Sequence, residues 1–368
     1  MKHKPQSLPS RTAALVLAVS AAGLVVCQIT PVSLRAQDAA DAAASEAAKG
    51  DATAAPALQK SDLSATQVFD AIAAKLDGTE SLSCDLHQTI LMSSHRFDAS
   101  GRYLQASGNR MRLEYQIYPV RAVTSSDARH LEPEPEPEDT AERKATGSLR
   151  QVSDGSVLWS YWINGTQKQL TRRNISEILD ATSDVPNYSA ATSLQDLGVG
   201  GMQALMSQLQ VGMDFGVVQE QQISSKKLLV LSGRWNKKTR TELFQIPDDA
   251  DTQLPEYIPD YVRIYVDAES MLPRRIQYLK KHPDPEQKQI RPLVTLDLRN
   301  LVLNAPVDDG VFEFQRPDEP DLEEIDLTSQ VIDGIKRTAA AKDSEDAAAT
   351  EPTPSADPET SKPTAPAP

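Results

Sequence analysis

A strict alternation of apolar and polar residues in its centre most constrains what this chain can fold into. Every second position of one eight-residue run is apolar: Met111, Leu113, Tyr115 and Ile117. Arginine, glutamate and glutamine occupy the positions between them. Successive side chains of a strand point to opposite faces, so this run places all of its apolar groups on one face. The sequence therefore predicts an antiparallel sheet with one apolar and one solvated face.

Similar runs occur on both sides of this segment, separated by turn residues. Leu82, Cys84 and Leu86 alternate with polar residues, and the run 97–103 follows the same pattern. The dipeptides at 154–155 (Asp-Gly) and 164–165 (Asn-Gly) are typical of tight hairpin turns. Later segments that we expect to be strands are 228–231, 241–246, 261–266, 275–279 and 293–298.

Two amphipathic helices are predicted to cover the apolar face of the sheet. Residues 64–67 (Ser-Ala-Thr-Gln) match a capping box and begin a helix over 64–77, with apolar residues at helical spacing. A second helical stretch over 192–211 carries an apolar stripe: Met202, Leu205, Met206 and Leu209. Successive strands with short turns and few helices predict an α+β fold with one large curved antiparallel sheet.

The ends of the chain differ in composition from this predicted core. Residues 1–36 carry four basic residues and no acid around an apolar run at 12–26, which predicts an export signal. If it is not cleaved, residues 12–29 become an inner-membrane anchor, and in both cases the basic flank directs the remainder to the periplasm. An Ala-rich linker is predicted over 37–62, the folded domain over 63–320, and a disordered Pro/Ala/acidic tail over 338–368.

An acidic Pro/Glu insertion at 121–147 interrupts the predicted domain. Its centre, at 132–139, reads EPEPEPED. Alternating Glu and Pro favour an extended, self-repelling segment, so we interpret the insertion as a solvated loop between two strands.

The chain contains two cysteines. Cys27 lies in the predicted signal, where the sequence LVVC loosely resembles a lipobox, although Val26 replaces the small residue that a lipobox has before its cysteine. Once the signal is removed, Cys84 has no cysteine with which to form an internal disulfide. Its position in an alternating strand predicts a small buried side chain.

Charge and motifs argue against several functional classes. The formal net charge of −14 is unlike that of a general nucleic-acid binder. The five histidines form no HExxH spacing, and the sequence contains no GxSxG elbow. We therefore predict no catalytic residues, no metal site and no cofactor.

Five segments occur along the core in the order of a known family: a helix at 64–77 before a strand at 82–92, a Gly-centred strand leading to RMRLEY (110–115), SDGSVLWSY (153–161), VRIYVDAESMLPRRIQY (262–278) and VDDGVFEF (307–314). Together they resemble the periplasmic lipoprotein carriers of the LolA type, with their relatives RseB and the LppX-like lipid binders. The resemblance covers about 62–316.

The resemblance implies an incomplete antiparallel β-barrel whose open side is covered by helices, around an apolar cavity that shields acyl chains. The implied ligand is a lipid or an acylated lipoprotein, and the protein would act as a monomer. The predicted lumen residues are Leu82, Cys84, Leu86, Phe97, Tyr103, Met111, Leu113, Tyr115, Val157, Trp159 and Tyr161. The predicted lid residues are Met202, Leu205, Met206 and Leu209.

A second hypothesis is an envelope sensor or scaffold of the RseB kind, which binds a partner protein such as an envelope membrane protein. The sequence departs from the carrier pattern at one position that bears on this choice. In the carriers, an Arg in the turn before the second long strand latches the helical lid. The corresponding segment here, at 105–108, is Gln-Ala-Ser-Gly and contains no Arg.

Overall fold

The computed structural model describes residues 59–92, 95–123, 144–185, 192, 194, 197–223, 226–244, 246, 254–282 and 290–349. The predicted signal or anchor, most of the linker, most of the acidic insertion and the last part of the tail lie outside these residues. The helices are α1 (Ala65–Leu76), α2 (Ile175–Thr182), α3 (Gly201–Gly212) and α4 (Thr328–Ala349).

The strands of the described residues join into one sheet of fifteen. They are β1 (Gln59–Lys60), β2 (Ser81–Met92), β3 (His95–Ala106), β4 (Arg110–Ile117), β5 (Arg121–Ala122), β6 (Gly147–Asp154), β7 (Val157–Asn164), β8 (Gln167–Asn174), β9 (Met213–Phe215), β10 (Gln219–Ile223), β11 (Lys226–Trp235), β12 (Tyr261–Asp267), β13 (Leu272–Lys281), β14 (Ile290–Leu303) and β15 (Glu324–Asp326).

The sheet is open and mostly antiparallel. Its order is β1-β10-β11-β12-β13-β14-β2-β3-β4-β6-β7-β8-β15, with β5 beside β3 and β9 beside β11. The outermost pair, β8 and β15, is parallel. Among the described residues β1 and β15 do not pair with each other, so the barrel is incomplete. This confirms the predicted α+β class.

Register shifts bend the sheet at three neighbouring strand pairs. They lie between Tyr265 and Val266 on β12, between Tyr278 and Leu279 on β13, and between Arg299 and Val302 on β14. A bulge locally increases twist and bends its strand. These irregularities therefore curve the sheet around the side chains on one face.

The helices cover that face. The capping box of α1 forms as predicted, since Ser64 Oγ accepts from the Gln67 amide and Gln67 Oε1 accepts from the Ser64 amide. The α1 side chains Val68, Phe69 and Ile72 are buried in one core cluster with apolar side chains from α2, α3 and the long strands. We call this cluster the inner core, the sheet face that carries it the inner face, and the opposite side the outer face.

A C-terminal belt crosses the outer face of β4, β6, β7 and β8. We define the belt as residues 305–327, which connect β14 to α4. Phe312 is buried, and the ring of Phe314 stacks on Trp159 with 5.0 Å between the centroids. Beyond β15, α4 packs against α2, and its Ile332 and Ile335 reach the inner core. The belt therefore connects the two faces around the β8 edge.

Several segments differ from the sequence predictions, among them the helix predicted over 192–211, because α3 begins only at Gly201, after a turn at 197–198. The expected strand at 241–246 is wrong: a π-helical turn, Thr239–Leu243, begins where Asn236 Oδ1 accepts from the Thr239 amide. The predicted linker includes β1, which pairs with β10. Helix α4 continues to Ala349, into the predicted tail, in an Ala-rich stretch where helix propensity is high. None of the helices in the described ranges is both long and apolar enough to span a membrane.

A buried ion pair lies on the outer face between β13 and β14. Arg275 and Asp297 stand opposite each other, and the guanidinium contacts both carboxylate oxygens, with Nη2 2.9 Å from Oδ2. Arg275 is 4% exposed and Asp297 7%. Removing charges from water is costly, so each group depends on the other for compensation.

We expect Asp297→Ala to lower the free energy of unfolding by about 3–5 kcal/mol, because it leaves the Arg275 guanidinium buried without a counter-charge. The control is the double variant Arg275→Met/Asp297→Leu, which removes both charges and should be close to neutral. Denaturant unfolding monitored by tryptophan fluorescence measures both. A single variant that costs no more than the double would contradict this account.

Candidate functional site

The inner face brings together most of the residues predicted to line a lumen. Seven of them are buried members of the inner core: Leu82, Cys84, Leu86, Tyr103, Met111, Leu113 and Tyr115. The four predicted lid residues of α3 belong to the same cluster: Met202, Leu205, Met206 and Leu209. The strand side chains and the lid side chains thus share one apolar cluster, while their role in ligand binding stays a prediction.

Phe97 lies farther along the same face. It is half-buried and stands opposite Ile90 of β2, and the alternation of β3 places it on the same side as Tyr103. It therefore extends the apolar lining toward the Met92 end of β2.

The structure separates the β7 residues from this group. Trp159 and Tyr161 lie on the outer face in a second cluster with Phe314 and Leu322 of the belt. Val157 shares that side by alternation. Leu158 of β7 belongs to the inner core instead, and Trp162 packs against it.

The alternation signal of β7 could not assign its faces. The strand is apolar on both sides, and the residues that would reveal its outer side, Phe314 and Leu322, lie more than a hundred positions downstream. Leu158 and Trp162 are the inner-face residues that the sequence analysis missed.

The first turn of α3, the predicted lid helix, is held by Gln105 of β3. The Gln105 Oε1 atom accepts hydrogen bonds from the Met202 backbone amide (3.3 Å) and from Tyr103 Oη (3.1 Å). The residue preceding α3 is Gly200, which has no side chain and therefore cannot cap the helix. Gln105 thus contacts the lid helix from the segment in which the sequence analysis noted the missing Arg.

Gly201 makes this contact sterically possible. Its backbone φ is +67°, and a Cβ at this position would lie 2.0 Å from Gln105 Oε1. Only glycine adopts such a conformation at little cost while allowing the close approach. Glycine at position 201 therefore leaves room for the side-chain amide of Gln105 beside the start of α3.

A cavity of about 420 Å³ lies at this junction, among the end of α1, the turn between β3 and β4, and the start of α3. Its lining mixes apolar and polar side chains, including Leu76, Leu82, Glu80, Gln105, Met202 and Gln203. Small-molecule sites commonly measure ~300–1,000 Å³. The cavity adjoins the inner face at the point where Gln105 holds the lid.

The Cys84 thiol and the tyrosine hydroxyls of the inner face stay protonated at neutral pH, whereas Arg173 of β8, opposite Leu158, adds a desolvated guanidinium on the same side. Burial raises the pKa of the Cys84 thiol to about 12, and the nearby Asp85 carboxylate adds to the shift. Burial likewise raises the pKa values of the Tyr103 and Tyr115 hydroxyls. Within the described ranges, no three His, Cys, Asp or Glu side chains are grouped so as to hold a metal ion. The part of the face around Cys84, Tyr103 and Tyr115 is therefore uncharged at neutral pH.

The Gly201 contact can be tested with two alanine variants. Gly201→Ala should displace the Gln105 side chain and break its bond to Met202. Gly78→Ala is the matched control, because Gly78 has a similar φ of +69° but no atom within 4 Å of the added Cβ. We expect Gly201→Ala to cost about 1 kcal/mol more in unfolding free energy than Gly78→Ala, which corresponds to the lost hydrogen bond.

Labelling of Cys84 reports on the same contact. In a Cys27→Ser background, Cys84 is the only thiol of the chain. It is 2% exposed, so native protein should react slowly with a small thiol reagent. Gly201→Ala should accelerate labelling several-fold while Gly78→Ala does not; equal rates in the two variants would show that Gly201 does not control access to the inner face.

Comparison with known proteins identifies similar solved structures only. No protein-family profile matches the sequence, and no curated protein does either. Structures similar to the chain include a DUF1329 family protein from Desulfovibrio piger, with 10% identity, 67% of this chain and 96% of that chain covered, and a TM-score of 0.28.

Two further similar structures have names that the sequence resemblance includes. The lipoprotein LppX from Mycobacterium tuberculosis is 12% identical over 67% of this chain and 99% of its own, with a TM-score of 0.29. A LolA superfamily protein from Nitrosomonas europaea is 11% identical over 68% and 98%, with a TM-score of 0.24. At such values the likeness carries no argument about function.

Proposed function

We propose that the protein is a non-enzymatic carrier or binder of lipid or acylated lipoprotein in the periplasm. The observation that carries the proposal is the inner face itself, whose apolar side chains form one core cluster in an incomplete barrel covered by helices from separate parts of the chain. Each CH₂ group removed from water contributes ~0.8 kcal/mol, so an acyl chain of about fourteen CH₂ groups gains on the order of 11 kcal/mol from such a lining.

The lid must move for an acyl chain to occupy this face. In the structure the side chains of α1 and α3 fill the inner core, and the open space at its margin is about 420 Å³. The described attachment of the α3 start, a hydrogen bond to Gln105, is weak compared with the burial of a long chain. An entering acyl chain would replace the apolar contacts that the displaced lid gives up.

Native mass spectrometry of the protein purified from its own envelope, followed by lipid extraction, tests the proposal directly. A bound lipid or acylated peptide near one-to-one stoichiometry is the expected result, and its mass identifies the cargo. A ligand-free mass that does not change after incubation with host lipids, together with copurification of a membrane partner, would instead favour the sensor or scaffold alternative.

Two tryptophans of β7 provide a matched pair of variants for the binding surface. Trp162 packs against the inner core, whereas Trp159 stacks on Phe314 in the belt. Both are half-buried on the same strand, so replacement by leucine removes similar apolar area from opposite faces.

We expect Trp162→Leu to weaken binding of a hexadecyl ether lysophospholipid by about 3- to 10-fold, because the ligand loses apolar contact area. Trp159→Leu should leave the affinity within two-fold of the wild type. Isothermal titration calorimetry below the critical micelle concentration measures both. Equal losses in the two variants would place the binding surface elsewhere than on the inner face.

A further inference from the structure

Two hydrogen-bond donors on the inner face have no partner. The Tyr115 hydroxyl and the Trp162 indole Nε1 are both buried, and neither makes a hydrogen bond within the described structure. Tyr115 is 2% exposed as a whole residue. Buried polar atoms in proteins are nearly always hydrogen-bonded, and an unsatisfied one costs roughly 1–3 kcal/mol.

The two groups lie in one row across the sheet. Tyr115 of β4 stands opposite Leu149 of β6, and Leu149 stands opposite Trp162 of β7. At roughly 4.8 Å between neighbouring strands, the backbones of Tyr115 and Trp162 are about 10 Å apart. Tyr115 and Leu149 belong to the inner core and Trp162 packs against it, so the row points toward the helices.

A third polar group on this face, the Tyr103 hydroxyl, does have a hydrogen-bond partner. The Tyr103 hydroxyl is equally buried but donates to Gln105 Oε1 at 3.1 Å. Tyr103 therefore has a structural role in the closed lid, while the Tyr115 hydroxyl has none that its contacts reveal. This difference makes Tyr103 a control for Tyr115.

The chemistry of the two orphaned groups defines the ligand group that they can bind. An indole N–H can only donate a hydrogen bond, and a neutral tyrosine hydroxyl can donate one. Burial raises the pKa of Tyr115, so its hydroxyl keeps its proton at neutral pH. The complementary group is a hydrogen-bond acceptor, and the acceptor directly attached to an acyl chain is the carbonyl oxygen of its ester or amide linkage.

We propose that Tyr115 and Trp162 form a recognition point for the carbonyl oxygens of acyl ester or amide linkages within the apolar face. The inference rests on the proposed function, since it requires that acyl chains enter this face. It adds a specificity that burial alone lacks, because a simple hydrocarbon has no acceptor for the two donors and an ether oxygen is a weaker acceptor than a carbonyl oxygen. The linkage can belong to a membrane lipid or to the acylated end of a lipoprotein.

A matched pair of lysophospholipids tests the proposal. Palmitoyl lysophosphatidylcholine has an ester carbonyl, and its hexadecyl ether analogue has the same chain length and headgroup without that carbonyl. Titrated as monomers into the full chain, the ester should bind about 5-fold more tightly than the ether, which corresponds to one hydrogen bond. A dipalmitoylglyceryl-cysteine peptide as a third ligand distinguishes a lipoprotein source from a lipid source by its affinity relative to the ester.

Removing the hydroxyl of one tyrosine at a time then identifies which residue causes the preference for the ester over the ether. Tyr115→Phe should reduce the ester preference to what the Trp162 N–H alone supplies and leave the ether affinity close to that of the wild type. Tyr103→Phe should keep the ester preference. Without ligand, Tyr115→Phe should raise the melting temperature by a few degrees, since it removes an unsatisfied buried hydroxyl.

The outcomes separate this inference from the function on which it rests. Equal binding of ester and ether by the wild type overturns the recognition point and leaves acyl binding in place. A Tyr115→Phe variant that loses both ligands equally, or that melts at a lower temperature, shows a packing role and also overturns it. Binding of none of the three ligands removes the proposed function and this inference together.

Discussion

The open edge of the sheet is the constraint on which the rest of this structure depends. A closed barrel satisfies both its edges and its interior with strands alone, but here β1 and β15 end the sheet without meeting among the described residues. The apolar inner face must therefore be covered by elements of another kind. Helices α1 and α3 do so with apolar stripes whose buried side chains belong to the inner core.

The two covers differ in how they are fastened. Helix α1 begins with a complete capping box, whereas α3 begins at a Gly-Gly pair and is held through the amide of Gln105. The β8 edge is fastened in a third way, by the belt and the first residue of α4: Tyr161 Oη of the neighbouring β7 donates to Glu319, and the Asn174 amide donates to Thr328 Oγ1. This distribution leaves the start of α3 as a weakly anchored part of the cover. A barrel that admits and releases a ligand needs one such element.

Stability of the closed protein and selective binding of a ligand would place different requirements on the inner face. Apolar side chains stabilise both the closed protein and a bound acyl chain, so they do not by themselves distinguish a ligand from the lid. Unsatisfied donors such as the Tyr115 hydroxyl and Trp162 Nε1 are unfavourable in the structure described and, in the proposed complex, would become favourable because the ligand brings an acceptor. Unsatisfied donors of this kind would favour ligand binding, because they destabilise only the ligand-free protein.

The sequence by itself determined the elements whose two sides differ in chemistry. The face of β4 follows from apolar residues between charged ones, the start of α1 from its capping box, and the hairpins on either side of β7 from Asp-Gly and Asn-Gly. In each case the information lies within a few neighbouring residues, because local backbone geometry converts spacing directly into direction.

Only the tertiary structure decided which way β7 faces, where the belt runs and what holds α3. A strand that is apolar on both sides has no preferred direction until another segment covers one of them, and Phe314 does so from far along the chain. The contact of Gln105 with Met202 likewise joins residues 97 positions apart. The burial of Arg275 with Asp297 on a side that alternation assigns to solvent has the same origin. Such contacts arise from the packing of distant segments, and no local pattern of spacing or polarity specifies them.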